Sequence, residues 1–209
     1  MKHLPNLLSL SRIGLIPFIG YYLSRPGNEA VIICTFLLGV AALTDLLDGY
    51  LARRLHQITR LGIALDPIAD KILAAALVVL LVFYRSFPLW LAAVIIGRDL
   101  LILLAGLILL RRQQLVVPSN LTGKYAFVSI AVLLFSYVIR FEFGIVMMTY
   151  LTLILVIASI VNYAVVFAQV RREGAPRPFA DRALYKGARI TATAILAGIY
   201  AFGFFVHAF

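Results

Sequence analysis

The chain has 209 residues, 63% of them apolar and 13% charged, against roughly half and a quarter in a soluble domain. A membrane span takes about 20 apolar residues, so six or seven spans use most of the length and exclude a separate water-soluble catalytic domain. Nineteen Lys and Arg against nine Asp and Glu give a formal charge of +10; in a soluble protein this would point to nucleic acid, but in a membrane chain it is what orientation requires, and no nucleic-acid partner is expected.

Apolar runs bounded by charged or turn residues fall at about 7–24, 29–52, 62–84, 87–110, 121–139, 144–170 and 188–208, and predict seven spanning helices. The first follows Lys2 and superficially resembles a signal peptide. Arg12 interrupts it and no small-residue cleavage pattern follows, so it reads as a retained span. Cys34, the single cysteine, lies in the second run; it cannot form an internal disulfide and is expected to pack. The breaks carry turn chemistry: Arg25-Pro26-Gly27-Asn28, Arg85-Ser86-Phe87-Pro88, and Pro118 ahead of the candidate caps Ser119 and Asn120. With the N-terminus inside, Arg25, Arg85 and Arg140 fall outside, Arg98 lies within the membrane, and the other fifteen basic residues face the cytoplasm. Residues 173–187 read as a basic cytoplasmic linker between a membrane domain, 1–172, and an additional helix, 188–209. His3, His56 and His207 have no metal-ligand company.

Four of the nine acids cluster between positions 45 and 70. A carboxylate inside a span costs about 2.5–3.5 kcal/mol on the lenient insertion scale, and four together repel unless protonated or bound to cations. Asp45 and Asp48 are three apart near the end of the second segment, and Asp66 and Asp70 four apart near the start of the third, so each pair shares a helical face. Oxygen-only ligands suit a hard divalent cation, Mg²⁺ or Mn²⁺, and two ions are expected. Gly49, Ala52 and Gly62 allow close approach of a backbone or a flat ligand, and Arg53 offers a bidentate phosphate contact. Pro67 follows Asp66, which makes Asp66 either a helix cap with Pro67 in the first turn or a residue beside a kink.

Taken together, Asp45, Asp48, Gly49, Ala52, Arg53, Gly62, Asp66 and Asp70 match the signature of the CDP-alcohol phosphatidyltransferases, with every intervening gap correct. The chain resembles that family further in L-P-N-L-L-S-L-S-R at 4–12, T-R-L-G at 59–62 and L-D-P-I-A-D-K at 65–71. Within the family these strings look most like the phosphatidylglycerophosphate synthases and next most like the single-motif cardiolipin synthases. The resemblance implies an all-α polytopic membrane bundle with a six-helix core, to which this chain adds a seventh, C-terminal helix. It implies two divalent metals on Asp45, Asp48, Asp66 and Asp70, with Asp70 also the general base. It places CDP against Asp48, Gly49, Ala52, Arg53, Thr59 and Gly62, with Pro5 and Asn6 nearby, and implies a homodimer in a bacterial inner membrane whose active site faces the cytoplasm.

The expected reaction is transfer of a phosphatidyl group from CDP-diacylglycerol to glycerol 3-phosphate with release of CMP; the nearest rival uses phosphatidylglycerol as acceptor. A phosphorylated acceptor needs cations beyond Arg53, and the candidates are Arg60, Arg98 and Lys124, with Arg111 and Arg112 reading as boundary markers. Arg98, mid-span in I-I-G-R-D-L-L, is placed first, because residues one apart on a helix point in different directions and a pair with Asp99 is not expected. Lys124, one turn into the fifth segment, reaches the same region by snorkelling. An ion-coupled transporter would predict paired, interrupted repeats in both halves; the acids occupy one window and no second half mirrors it.

Overall fold

The computed structural model describes the backbone of residues 4–54, 60–113, 121–173 and 183–208, and the side chains of 11–44, 71–105, 121–169 and 190–206. Every element is helical among these residues: α1 Leu4–Leu23, α2 Asn28–Arg54, α3 Arg60–Tyr84, α4 Leu89–Gln113, α5 Leu121–Val138, α6 Glu142–Glu173 and α7 Ala183–Ala208. All seven predicted segments are present, and the fold is that of an all-α membrane protein. Leu121–Val138 and Glu142–Gln169 are long and apolar enough to cross a bilayer, and shorter apolar helical stretches cover Asn28–Thr44, Lys71–Tyr84 and Ile190–Val206. Large apolar side chains stand exposed on the helices, among them Phe36, Phe83, Tyr150, Ile154 and Phe202; so much outward apolar surface belongs against lipid rather than water. At 1.5 Å per residue, the 32 residues of α6 extend about 48 Å, beyond the ~30 Å hydrocarbon core, and carry Arg171 and Arg172 out of it.

The chain forms two compact units, Met1–Ile96 with Tyr137–Ile139, and Gly97–Ser136 with Arg140–Phe209. In the first, α1 packs against both α2 and α3. Its buried seam joins Ile19 and Leu23 of α1, Ala30, Cys34 and Ala41 of α2, and Leu77, Val78 and Leu81 of α3. Cys34 is fully buried, with its thiol 3.6 Å from the Ile19 carbonyl oxygen, so it packs as expected. The α1–α2 turn is closed by the Ser24 amide donating to the Gly20 carbonyl at 3.1 Å and by Gly27 at φ 110°, a left-handed position that glycine takes without penalty. Arg25 lies 4.9 Å from the Tyr21 ring centroid. After α3, Phe87 turns inward onto Tyr137, ring centroids 4.7 Å apart.

The helix α3 begins at Arg60, six residues before Asp66, which overturns the reading of Asp66 as a helix cap. Pro67 sits in the helix interior, where it removes one intrahelical donor.

In the second unit, α7 docks on α6 through aromatic packing. Phe141 meets Tyr200 and Phe204 edge-on at centroid distances of 5.3 and 5.4 Å, and the Tyr200 hydroxyl hydrogen-bonds Ser136 at 2.9 Å. Gly144 faces Phe141 and Tyr200, and Gly203 faces Phe143, so closely that neither position has room for a Cβ.

Candidate active site

The side chains of Pro5, Asn6, Asp45, Asp48, Gly49, Ala52, Arg53, Thr59, Arg60, Gly62, Asp66 and Asp70 lie outside the described residues. Except for Thr59, their backbone is placed, and two contacts in the first unit set its register. Cys34 of α2 touches the Ile19 carbonyl, and Leu80 of α3 comes within 3.1 Å of a Cβ built on Gly20. The short connections run α2 antiparallel to α1 and α3 parallel to it. Carried along the helices at 1.5 Å per residue, this register sets Asp45 level with Leu8, Asp48 with Pro5, Asp66 with Asn6 and Asp70 with Leu10. Projected as straight helices on the α1 axis, the backbone positions of the four aspartates fall within about 8 Å of one another along that axis, level with the stretch of α1 that begins at Pro5 and Asn6. Helical spacing keeps each pair on one face of its helix.

Among the described residues no three His, Cys, Asp or Glu side chains gather to hold a metal; the aspartate quartet, whose side chains lie outside them, is the candidate metal centre on its sequence spacing alone. Its chemistry fits the group expected there: four carboxylates and no nitrogen or sulfur donor match a hard divalent cation.

Arg98 is described in full. It is 6% exposed, on α4 within the second unit, and its guanidinium ties three helices together. Nη1 donates to Asp99 Oδ1 at 2.5 Å. Nη2 donates to Ser159 Oγ of α6 at 2.9 Å and to the Gly123 carbonyl of α5 at 3.4 Å. The ion pair with Asp99 corrects the expectation that helix neighbours cannot pair: that rule concerns the directions of Cβ atoms, and the long arginine stem folds back across them. Nε–H has no acceptor among the described residues, which leaves a buried cation with a donor unused. A Cβ on Gly123 would lie 3.2 Å from Tyr163 and 3.5 Å from Arg98 Nη2, so glycine here permits the close approach. One position along α5, Lys124 is exposed. Asn162 Nδ2 donates to Thr122 Oγ1 at 3.1 Å, a second polar tie between α5 and α6.

Sequence reasoning missed Ser159, Gly123, Thr122 and Asn162. The available signal was Thr152 and Ser159, seven apart in an otherwise apolar helix and both fully buried, with Asn162 three residues on. That spacing marks one packed face.

Comparison with known proteins adds what the geometry lacks. The model of the CDP-alcohol phosphatidyltransferase family matches residues 2–172. The chain belongs to that family. Among its relatives, the Aquifex aeolicus (strain VF5) protein named CDP-diacylglycerol–glycerol-3-phosphate 3-phosphatidyltransferase is 33% identical over 162 residues, covering 76% of this chain and 88% of the relative. The Bacillus subtilis (strain 168) protein of the same name is 35% identical over 136 residues, 59% of this chain and 70% of the relative. Human cardiolipin synthase (CMP-forming) is 42% identical over 123 residues, 58% of this chain and 39% of the human protein, so the chain spans well under two thirds of that relative. Members of the family are membrane enzymes that act on a CDP-linked alcohol and an alcohol acceptor. The match stops short of α7, which stands outside the shared region.

Proposed function

We propose that this family member transfers a phosphatidyl group from CDP-diacylglycerol to glycerol 3-phosphate, releasing CMP and forming phosphatidylglycerophosphate. The observation that supports the reading is the family match over residues 2–172, a stretch that contains all four signature aspartates. The acceptor follows the names of the Aquifex and Bacillus relatives, which this chain covers over most of their length. A second reading, phosphatidylglycerol as acceptor with cardiolipin as product, is favoured by the higher identity to the human relative over a shorter stretch.

Asp45, Asp48, Asp66 and Asp70 would hold two divalent ions, Mg²⁺ or Mn²⁺, whose charge offsets the negative charge on the diphosphate and on the departing CMP. Arg53 binds the diphosphate, and Gly49, Ala52 and Gly62 leave room for the nucleotide, with Thr59, Asp48, Pro5 and Asn6 around it. Asp70 takes the proton of the acceptor hydroxyl as its oxygen attacks the lipid-bearing phosphorus. The bond from that phosphorus to the CMP oxygen breaks, and CMP leaves with the electron pair. Arg60 and Arg98 are each a candidate cation for the acceptor phosphate. The enzyme works as a homodimer in a bacterial inner membrane, with its active site on the cytoplasmic side and membrane lipid around it.

The test supplies purified chain with CDP-diacylglycerol, Mg²⁺ and a panel of acceptors, and measures CMP release and the lipid formed. Turnover with glycerol 3-phosphate is expected; turnover with phosphatidylglycerol alone would overturn the assignment in favour of the second reading, and no CMP release with any acceptor would overturn both.

A further inference from the structure

A cavity of about 590 Å³ opens between α5, α6 and α7. Val128 and Val132 of α5, Met147, Leu151 and Leu155 of α6, and Leu196 of α7 form most of its wall. The cluster of Phe141, Tyr200 and Phe204 clamps α7 near the α5–α6 turn, and beyond Tyr200 the wall is carried by smaller residues, Ala192, Thr193 and Ala197.

We propose that this cavity binds an acyl chain of a membrane phospholipid whose headgroup lies at the Lys124–Tyr125 end. Three observations commit it to that occupant. The first is the state of the lining hydroxyls. Ser129 donates to the Ala126 carbonyl at 2.9 Å, Tyr200 pairs with Ser136, and Thr193 also has a partner, so these hydroxyls are already engaged and the body of the cavity suits hydrocarbon. Tyr125, at the far end from the aromatic clamp, has no hydrogen bond among the described residues and adjoins the exposed cation Lys124. An apolar trough with a tyrosine and a lysine at one end matches the polarity of an anionic phospholipid.

The second observation is size. The lining runs from Tyr125 to Phe135 along α5, about 15 Å of helix. A trough about 15 Å long with about 590 Å³ of free space takes a hydrocarbon chain lying along α5. The third is the setting: Phe127, Val128, Ile154 and Ile195 around the cavity are exposed, so hydrocarbon is the medium at its mouth. Because α7 lies beyond the region shared with the family, one wall of the cavity comes from this chain's C-terminal addition, and the lipid assignment does not depend on the transferase reading.

The test uses the full chain in vesicles of phosphatidylcholine and phosphatidylglycerol with a trace of phosphatidylglycerol bearing a diazirine in one acyl chain. After illumination, labelled peptides are mapped. The expected result is labelling concentrated on Met147, Met148 and Leu151, displaced saturably by unlabelled phosphatidylglycerol and less well by phosphatidylcholine. The double change Ala192→Phe with Ala197→Phe, which fills the cavity, should lower that labelling roughly tenfold, the effect of losing about two buried methylenes, relative to the lipid-facing reference Phe83. Labelling that is no denser at Met147 than at Phe83, or that does not saturate in the unaltered chain, would overturn the proposal even if the double variant fails to fold. Cross-links joining two chains through Ala192 or Leu196 would overturn it in favour of a second copy as occupant. Equal displacement by both lipids would remove the role given to Lys124. None of these readouts depends on CMP release, so failure here leaves the proposed reaction standing, and the converse.

Discussion

Replacing Ser159 by Ala tests whether the Arg98 clamp serves the acceptor or only the fold. The hydroxyl accepts from a buried guanidinium at 2.9 Å. A hydrogen bond to a charged group contributes about 1.5–3 kcal/mol in soluble proteins, whereas interhelical bonds inside a bilayer average about 0.6 and reach about 1.7 kcal/mol. The lower scale decides here, because Arg98 keeps Asp99 at 2.5 Å and the weaker Gly123 carbonyl at 3.4 Å and is not left bare. About 1 kcal/mol is expected, which is roughly fivefold in an equilibrium. If the guanidinium must be aimed at the acceptor phosphate, the KM for glycerol 3-phosphate rises about fivefold, while the KM for CDP-diacylglycerol is unchanged and Ser159→Thr, which restores a hydroxyl, recovers most of the loss. The measurement is CMP release against acceptor concentration, with thermal unfolding in parallel. A fall in melting temperature with both KM values unchanged would refute the reasoning and leave Ser159 as a packing residue between α4 and α6.

The other predictions concern the aspartate quartet and the α6–α7 contact. Asp70→Asn should lower CMP release by about 10²–10⁴-fold, the usual contribution of a positioned base, with unchanged elution and melting; near-normal turnover would remove the base assignment. Chelation with EDTA should stop CMP release and added Mg²⁺ restore it, and turnover that persists after chelation would end the metal reading of the four carboxylates. Gly203→Ala puts a Cβ into the Phe143 ring and should cost about 1–3 kcal/mol as an overpacked contact, read as a lower melting temperature; no shift would mean the α6–α7 contact yields freely.

The seven helices were legible because a span is long and its apolar run is bounded by charge, so Arg25-Pro26-Gly27 and Arg85-Ser86-Phe87-Pro88 fixed the breaks. The start of α3 was harder to place. Pro67 after an acid carries a strong local signal for a helix beginning, yet the helix starts at Arg60, because an apolar run packed on α1 outweighs the loss of one backbone hydrogen bond. The aspartate pairs were visible as i,i+3 and i,i+4 spacings, but their common level needed the contacts Cys34–Ile19 and Leu80–Gly20, which join residues distant in sequence. Arg98 stood out as a charge in a span. Its partners Ser159 and Gly123 did not, since serine and glycine are ordinary in membrane helices and only the packing of three helices gives them a role.

Depth explains why the two kinds of charge are treated differently. Counted from the α1–α2 turn at Asn28, Asp45 and Asp48 lie about 26 and 30 Å along α2, and from the matching end of α3 at Tyr84, Asp70 and Asp66 lie about 21 and 27 Å away. The hydrocarbon core is about 30 Å thick, so the backbone of these four positions lies near the far end of a span of that length, where placing a charge costs less than at the midplane. Arg12, about 17 Å from the end of α1 at Leu23, is near mid-depth and only 1% exposed, which corrects its expected place among the cytoplasm-facing cations. A long basic side chain facing lipid would snorkel to the nearer interface; this one is sunk into the seam of the first unit, about half a turn to two turns deeper than the aspartate level. A fixed positive charge on α1, the helix packed against both helices that carry the aspartates, would offset part of the repulsion among four carboxylates with or without bound metal. The expected consequence is that Arg12→Leu widens the gap in melting temperature between metal-free and metal-loaded protein beyond the gap that metal binding gives the unaltered chain. A gap no wider than that of the unaltered chain would show that Arg12 has no part in holding the acids.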